Sequence, residues 1–423
     1  MRKLSDVSNY TPKKWQPEAI RNLLKNRYHI LADDMGLGKT FEFIANVLIL
    51  NEKAVIVCPA YLKYVWNNEI SKVCKDPEDK KLFVVTSYSK AKDLLDLMKA
   101  HEAKIIGFDE AHYLKNMKAK RTINSFEAIA EHEMERIVLM SGTPIKNRIP
   151  EWYSLLRLIH WHIGTDFLDK FPTEWSFSIH FCYEKSFVIK GKKGSRRVTT
   201  FYGLRKDRRQ ELLSYVRPCM TRRLAKDVLG LDDPTYFHIE ANTSDQYDED
   251  LLEAFKSGKD STAKRKSALA KVPFTSKFLL DLKDMHKKVD DNGKETPKQI
   301  VVFTGHPEVA TQLSAKFEDS EVIVGDTPIK NREGIVARFQ AGETSILFCT
   351  IGAASTGHTM TATNIMVLND MSHVAGDNDQ AVRRVSRLGQ KEACLVYCIG
   401  GSKVDADINR NLEQKIKDLK QGM

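Results

Sequence analysis

The sequence predicts an α/β protein with two parallel-sheet lobes, one at each end of the chain, and a mainly helical, basic segment inserted between them. Three observations carry that expectation. Short apolar runs bounded by polar or turn residues alternate with amphipathic stretches near the N-terminus, which is the pattern of a sheet covered on both faces. The same rhythm returns near the C-terminus. The stretch between is rich in aromatic and basic residues and reads as more helical than stranded.

In chain order, the first lobe offers "YHILA" (28–32), "AVIVCPA" (54–60), "LFVVTS" (82–87), "KIIGFDE" (104–110) and "RIVLMSG" (136–142) as strands. The second offers "QIVVFTG" (299–305), "SEVIVGD" (320–326), "TSILFCT" (344–350), "NIMVLND" (364–370) and "ACLVYCI" (393–399). The expected divisions are 1–160, 161–270 and 271–423. Inside the middle one, "SFVIKGKKGSRRVTTF" (186–201) reads as a hairpin with a basic tip. Residues 256–271 are charged and poor in large apolar groups, and read as an exposed linker or helix.

Composition bounds the function. A chain of 423 residues is too long for one ordinary core. With 42% hydrophobic and 29% charged residues it reads as well folded rather than disordered. No stretch approaches the roughly 18 apolar residues of a membrane span, and the N-terminus has no apolar core of a secretion signal. Lys plus Arg exceed Asp plus Glu by 66 to 56, a formal charge of +10 that favours an anionic partner. The 7 cysteines form no C-x-x-C and fit reduced thiols. Cys394 and Cys398 share a strand-like run that lacks a second ligand pair, so zinc is not expected there.

The chemistry begins at "LADDMGLGKT" (31–40), which follows an apolar run and opens an apolar helix. Gly36 and Gly38 would let the backbone approach phosphates at a helix N-terminus. Lys39 would reach the β- and γ-phosphates and Thr40 would coordinate Mg²⁺. Asp33 stands where the general phosphate loop carries glycine. At the end of another apolar run lies "GFDEAH" (107–112). Asp109 there can hold Mg²⁺, and Glu110 can orient and deprotonate a water. Ser141 and Thr143 of "LMSGTPIKN" are hydroxyl residues in a turn that could bond the acidic motif. Late in the chain, Arg384 and Arg387 in "QAVRRVSRLGQ" lie at i and i+3, which puts them on one face of a helix. Such a pair could neutralise charge growing on a γ-phosphoryl group; a solvated basic helix or a DNA-backbone contact is the alternative.

These motifs, in order, make the chain resemble helicase superfamily 2, specifically its Swi/Snf-type DNA translocases. The matching elements are "KKWQPEAI", "DDMGLGKT", "VIVCPAYLKYVWNNEI", "VVTSY", "DEAHYLKN", "SGTPIKN", "CMTRRLAKDVL", "VVFTGH", "CTIGAASTGHTMTAT" and "QAVRRVSRLGQ". In that family an acidic residue at the position of Asp33 is habitual. "SFSIHFCYE", "MTRRLAKDVL" and "VYCIGGSKVDADI" are similar to the HepA-related annealing-helicase branch. The chain departs from the pattern at Arg383 and Ser386, where the family carries aspartate and histidine, and at "HVA" (373–375), where it carries W-N-P.

The resemblance implies two RecA-like lobes with ATP and Mg²⁺ in the cleft between them. The first lobe would supply the phosphate loop and acidic pair, the second the arginines. It assigns Gln16 to the adenine edge, and His112, Ser141, Thr143 and Gly357 to coupling nucleotide state with DNA contact. Asp33 and Asp34 receive no catalytic role. The "RRLAKD" stretch (222–227) reads as a brace between lobes. At the hairpin, Lys190, Lys192, Lys193, Arg196 and Arg197 form either a DNA contact or a solvated loop. The expected activity is a DNA-stimulated ATPase that moves along duplex or forked DNA and remodels or reanneals strands. The alternatives are a strand-separating helicase and an ATP-gated DNA clamp with little turnover. A soluble intracellular monomer is expected, in cytoplasm or nucleoid, nucleus, or a host cell if viral.

Overall fold

The apolar runs become strands because each can be covered on both faces. The computed structural model describes residues 1–191, 194–230, 232–241, 260–289, 293, 295–354, 359–372, 374–401 and 405. The chain forms two compact units divided between Val228 and Leu229.

In the first unit, β1 (Tyr28–Leu31), β2 (Ala54–Cys58), β3 (Phe83–Ser87), β4 (Ile105–Asp109) and β5 (Arg136–Met140) match the expected runs to within a few residues. Two further strands, β6 (Tyr183–Gly191) and β7 (Gly194–Tyr202), pair antiparallel as the expected hairpin, whose tip residues Lys192 and Lys193 lie outside the described residues. The chain then returns to the sheet as β8 (Met220–Thr221), giving the all-parallel order β3-β2-β4-β5-β1-β8. Every residue of β2 is buried. The helix Lys39–Leu50 lays Phe43, Ile44, Val47 and Leu48 on one face of the sheet, against Ile56, Val138 and Met140. Gly107 of β4 permits that approach, because a side chain there would strike the Phe43 ring. Burial of each such large apolar side chain contributes roughly 1.5–3 kcal/mol.

The inserted segment is helical around its hairpin, with helices Trp152–Ile163, Glu174–Phe181 and Arg209–Val216. Phe167, Phe171, Phe177 and Phe181 form a buried aromatic cluster with His160 and Tyr215. Residues up to 228 thereby belong to the first compact unit.

The second unit contains β9 (Thr235–Glu240), β10 (Lys287–Val289), β11 (Glu295–Pro297), β12 (Ile300–Thr304), β13 (Ser320–Ile323), β14 (Ile346–Thr350), β15 (Ile365–Leu368) and β16 (Leu395–Gly400). Strands β13-β14-β12-β15-β16-β9 form a parallel sheet in that order, and β10 and β11 an antiparallel pair. Alternation along the strands serves both faces: Val301, Phe303, Leu347 and Cys349 point into one core, Ile300, Val302, Ile346 and Phe348 into the other. Residues 260–270 are a helix, exposed at Ser261, Thr262, Arg265 and Lys266 but buried along one face. Ala263, Ser267 and Ala268 are buried, because a stripe of small residues among the charges lets the helix lie close. Lys271 follows, its ammonium 3.1 Å from Asp405 and donating to the carbonyl of Ile399 at 3.2 Å. All 7 cysteines are buried, and none forms a disulfide.

Candidate active site

Strand order brings the motifs of the first unit together. β5 lies between β1 and β4, so the turns after all three open at the same edge of the sheet. That edge, outside the carboxyl ends of parallel strands, is where open α/β sheets bind ligands. The backbone N–H of Ser141 donates to the carbonyl of Leu31 at 3.1 Å, fixing the 141–143 turn beside the phosphate loop.

The loop leaves β1 and turns into the helix Lys39–Leu50 at Gly38, whose φ of 96° suits glycine. A side chain at Gly38 would also run into the Gln16 amide. That amide is buried over the loop. Gln16 Nε2 donates to the carbonyls of Leu37 (3.3 Å) and Gly38 (3.4 Å), and Gln16 Oε1 accepts from the N–H of Lys13 (2.9 Å). Trp15 Nε1 donates to the Leu37 carbonyl at 2.9 Å. Lys39 Nζ donates to the backbone carbonyls of Asp33 (2.6 Å) and Asp34 (3.2 Å). Burial lowers the Lys39 pKa, opposed by Glu110, Asp33, Asp109 and Glu42. The ammonium therefore sits among carboxylates, a place where polyphosphate oxygens bring further anionic acceptors.

Asp109 and Glu110 close the other side. Asp109 Oδ2 accepts from Trp66 Nε1 at 2.8 Å and Oδ1 from the N–H of Glu110 at 3.0 Å. Burial, with Glu110 adding to it, pushes the Asp109 carboxyl up to about 6. Burial works in the same direction on Glu110 but is outweighed there by His112, Lys146 and Lys39, which hold Glu110 below its usual range. Glu110 has a left-handed backbone (φ 53°), and its Oε2 lies 3.2 Å from His112 Nδ1. The same His112 nitrogen is 3.1 Å from Ser141 Oγ, which accepts from the N–H of Thr143 at 3.2 Å. Burial lowers the His112 pKa, keeping the ring neutral. A chain of contacts therefore runs from the acidic pair through His112 to the Ser141–Thr143 turn.

The arrangement suits a nucleotide with its metal. Among the described residues no group of three or more His, Cys, Asp or Glu could hold a metal alone. Mg²⁺ characteristically takes one or two protein ligands plus substrate phosphates and water, and a Thr40 hydroxyl with Asp109 fits that demand.

Several contributing residues were not singled out from sequence. Trp66 orients Asp109, and Tyr88 donates to the Asp109 backbone carbonyl at 2.8 Å while stacking on Tyr113. Arg223 holds Asp33. Their signal was only membership of the quoted motifs, because each acts on a residue far away in sequence.

In the second unit, Arg384 is buried in the last turn of the helix Ala375–Val385. The shared helical face expected for Arg384 and Arg387 is not formed. The helix stops at Ser386, whose ψ of 82° is not helical, and Arg387 lies in the turn that continues to Gly389 at φ 102°. Burial lowers the Arg387 pKa, and its Nη1 is enclosed with no hydrogen-bond partner. Arg383, at the family's aspartate position, pairs with Asp379 at 2.8 Å. Gly357 lies outside the described residues, as do the side chains of Lys190 and Arg196 in the hairpin; Arg197 is exposed on β7.

The family model of the SNF2-related domain matches residues 15–82 and 78–279, more than half of the chain. The chain belongs to the SNF2-related family. The helicase conserved C-terminal domain matches residues 281–389. Among curated proteins, the chain is 26% identical over 431 aligned residues to a SWI/SNF-related matrix-associated actin-dependent regulator of chromatin subfamily A-like protein 1 homolog of Caenorhabditis elegans, covering 92% of this chain and 58% of that one. It is 25% identical to the mouse DNA annealing helicase and endonuclease ZRANB3, covering 89% of this chain and 37% of that one. It therefore spans little more than half the length of the nematode relative and less of the mouse one. Among solved structures, a Sulfolobus solfataricus SWI2/SNF2 ATPase core in complex with dsDNA is 21% identical, with a TM-score of 0.42 and coverage of 95% of this chain and 91% of that one. No helix among the described residues is long and apolar enough to cross a membrane.

Proposed function

We propose that this protein is a DNA-stimulated ATPase that moves along duplex or forked DNA and remodels or reanneals strands. The observation that carries the reading is the convergence of Lys39 and Thr40, at a helix N-terminus, with Asp109 and Glu110 at one sheet edge, in a chain of the SNF2-related family. Thr40 and Asp109 would hold Mg²⁺ alongside bound ATP, and the metal would supply neutralisation of the charge on the phosphates. Lys39 leaves its backbone carbonyls for the phosphates. Glu110, ionised at neutral pH because its pKa is lowered, orients the attacking water and accepts its proton. Gln16 selects adenine. His112, Ser141, Thr143 and Gly357 report nucleotide state to the DNA-contacting parts, and Arg384 and Arg387 stabilise charge on the γ-phosphoryl group.

The phosphate backbone of DNA supplies the partner for the +10 chain. Lys190, Lys192, Lys193, Arg196 and Arg197 of the hairpin make added contacts. The chain works as a monomer inside the cell.

The test is phosphate release by the full chain with single-stranded, duplex and forked DNA, with Lys39→Ala and Glu110→Gln as controls. Duplex-dependent turnover lost in both variants supports the translocase, and fork preference supports the annealing reading. Stimulation by single strands alone points to strand separation. DNA binding with no stimulated release leaves a clamp.

A further inference from the structure

Asp33 and Asp34 have no part in the chemistry above, yet they are the most heavily held residues of the loop. Asp33 is fully buried. Its Oδ1 accepts from the N–H of Arg223 at 2.8 Å and its Oδ2 from Arg223 Nε at 2.9 Å, with Nη2 of the same guanidinium closing the fork. That guanidinium also reaches Glu42 Oε1 at 2.7 Å and the backbone carbonyl of Trp15. Asp34 Oδ2 accepts from the N–H of Ala225 at 2.9 Å, and Arg222 Nη1 donates to the carbonyl of Ala32 at 3.0 Å. The main chains run side by side as well: the N–H of Ala32 donates to Thr221 (2.8 Å) and that of Asp34 to Arg223 (3.0 Å), extending the β1–β8 pairing.

The same two aspartates face Lys39 with their other ends. Their carboxylates are gripped by residues 223 and 225, while their carbonyls receive the Lys39 ammonium. A glycine at position 33 would have given Arg223 no carboxylate on the loop itself, leaving it Glu42 and the Trp15 carbonyl. Trp15, the other end of the Arg223 fork, is itself bonded to Leu37 and precedes Gln16, so one guanidinium spans both flanks of the loop.

We propose that Arg223 is a positioning residue for ATP: acting through Asp33 and Trp15, it sets the phosphate loop and the resting place of Lys39. This rests on the ATPase reading and goes beyond the brace role, which concerns only how the lobes are joined. The grip is applied by the last residues of the first unit, immediately before the second begins at Leu229.

The test is steady-state ATP turnover by the full chain at saturating duplex DNA, with melting temperature measured alongside. Arg223→Lys keeps a cation beside Asp33 and Glu42 but loses the planar fork that serves both carboxylates and Trp15. It is expected to melt within a few degrees of wild type and to raise KM for ATP about tenfold, with kcat within about threefold. Asp33→Asn, which keeps volume and one acceptor, is expected to raise KM similarly. The double variant should then be little worse than either single one, since both break one linkage. Unchanged KM in Arg223→Lys and Asp33→Asn, with only the melting temperature lowered, overturns the inference and leaves Arg223 a fold-stabilising residue. Additive effects in the double variant overturn it as well. If Arg223→Lys does not fold, the Asp33→Asn result decides alone. A wild-type chain that neither binds nor hydrolyses ATP removes the underlying reading instead, an outcome distinguished by the Lys39→Ala control being no different from wild type.

Discussion

Two acidic pairs lie at the carboxyl ends of parallel strands of one sheet and open at the same edge, Asp33–Asp34 after β1 and Asp109–Glu110 at the end of β4, but the donors that meet them differ. Asp33 meets a guanidinium fork and Asp34 a backbone N–H, and the residues that bind them supply directed donors to each. Asp109 and Glu110 have an indole N–H, one backbone N–H and a neutral histidine, with no arginine in hydrogen-bond contact. Charges met by fixed, bidentate donors are held in place, and that suits a scaffold. Carboxylates without such a fork keep shifted pKa values, Asp109 raised by burial and Glu110, despite its burial, lowered by His112, Lys146 and Lys39, and they keep capacity for a metal or proton, which suits chemistry. Residue type alone does not separate the two pairs; their partners do.

The difference can be broken at either pair. Glu110→Gln should lower kcat by about 10²–10⁴, the usual worth of a general base, with ATP binding and melting temperature kept. Phosphate release and equilibrium binding of ATP check both halves. On the other side, Arg223→Met leaves Asp33 and Glu42 buried without their cation. Burial has already raised the Glu42 carboxyl to about 7 even with Arg223 present. Removing the cation should cost about 3–5 kcal/mol of stability, read by urea denaturation of the full chain.

A third prediction concerns the strand pairing beneath the scaffold pair. His29 of β1 is buried, with Nε2 2.8 Å from Thr221 Oγ1 on β8, and burial lowers its pKa to about 4. The unfolded chain, with an ordinary histidine near 6.5, binds the proton first. Stability from this group is therefore complete above pH 6.5 and is lost as pH falls toward 4, by about 3 kcal/mol. His29→Gln should flatten that part of the stability–pH curve, and an unchanged acid slope would count against it. The smallest effect is expected from Trp66→Phe, which removes one hydrogen bond to Asp109 and retains most of the ring that meets Phe43 edge-on. It should lower kcat/KM about fivefold, with little change in melting temperature.

The central strands of both sheets were legible because a strand buried on two faces must be an unbroken apolar run. Of the edge strands, β3 and β13 were also read as runs, whereas β8 and β9 were not. β8 is two residues long, and β9, "TYFHIE", is almost wholly exposed, so neither leaves an apolar run to read. The nucleotide motifs were legible as residues at fixed spacing, since glycine, lysine and acidic positions are demanded by phosphate and metal. What held them was not. Arg223 is 190 residues from Asp33, and Trp66 reaches Asp109 from the helix Lys63–Val73. A buried aspartate where a glycine is usual does call for a cation, but sequence does not say which. Helical spacing also misled at Arg384 and Arg387, because Ser386 ends the helix between them.

Turnover kinetics of Asp33→Asn and Glu110→Gln, compared at saturating duplex DNA, test the division of labour most directly. The account predicts that Asp33→Asn raises KM for ATP while kcat stays near wild type, and that Glu110→Gln loses kcat while still binding ATP. Loss of kcat at unchanged KM in Asp33→Asn, or wild-type turnover in Glu110→Gln, would contradict it.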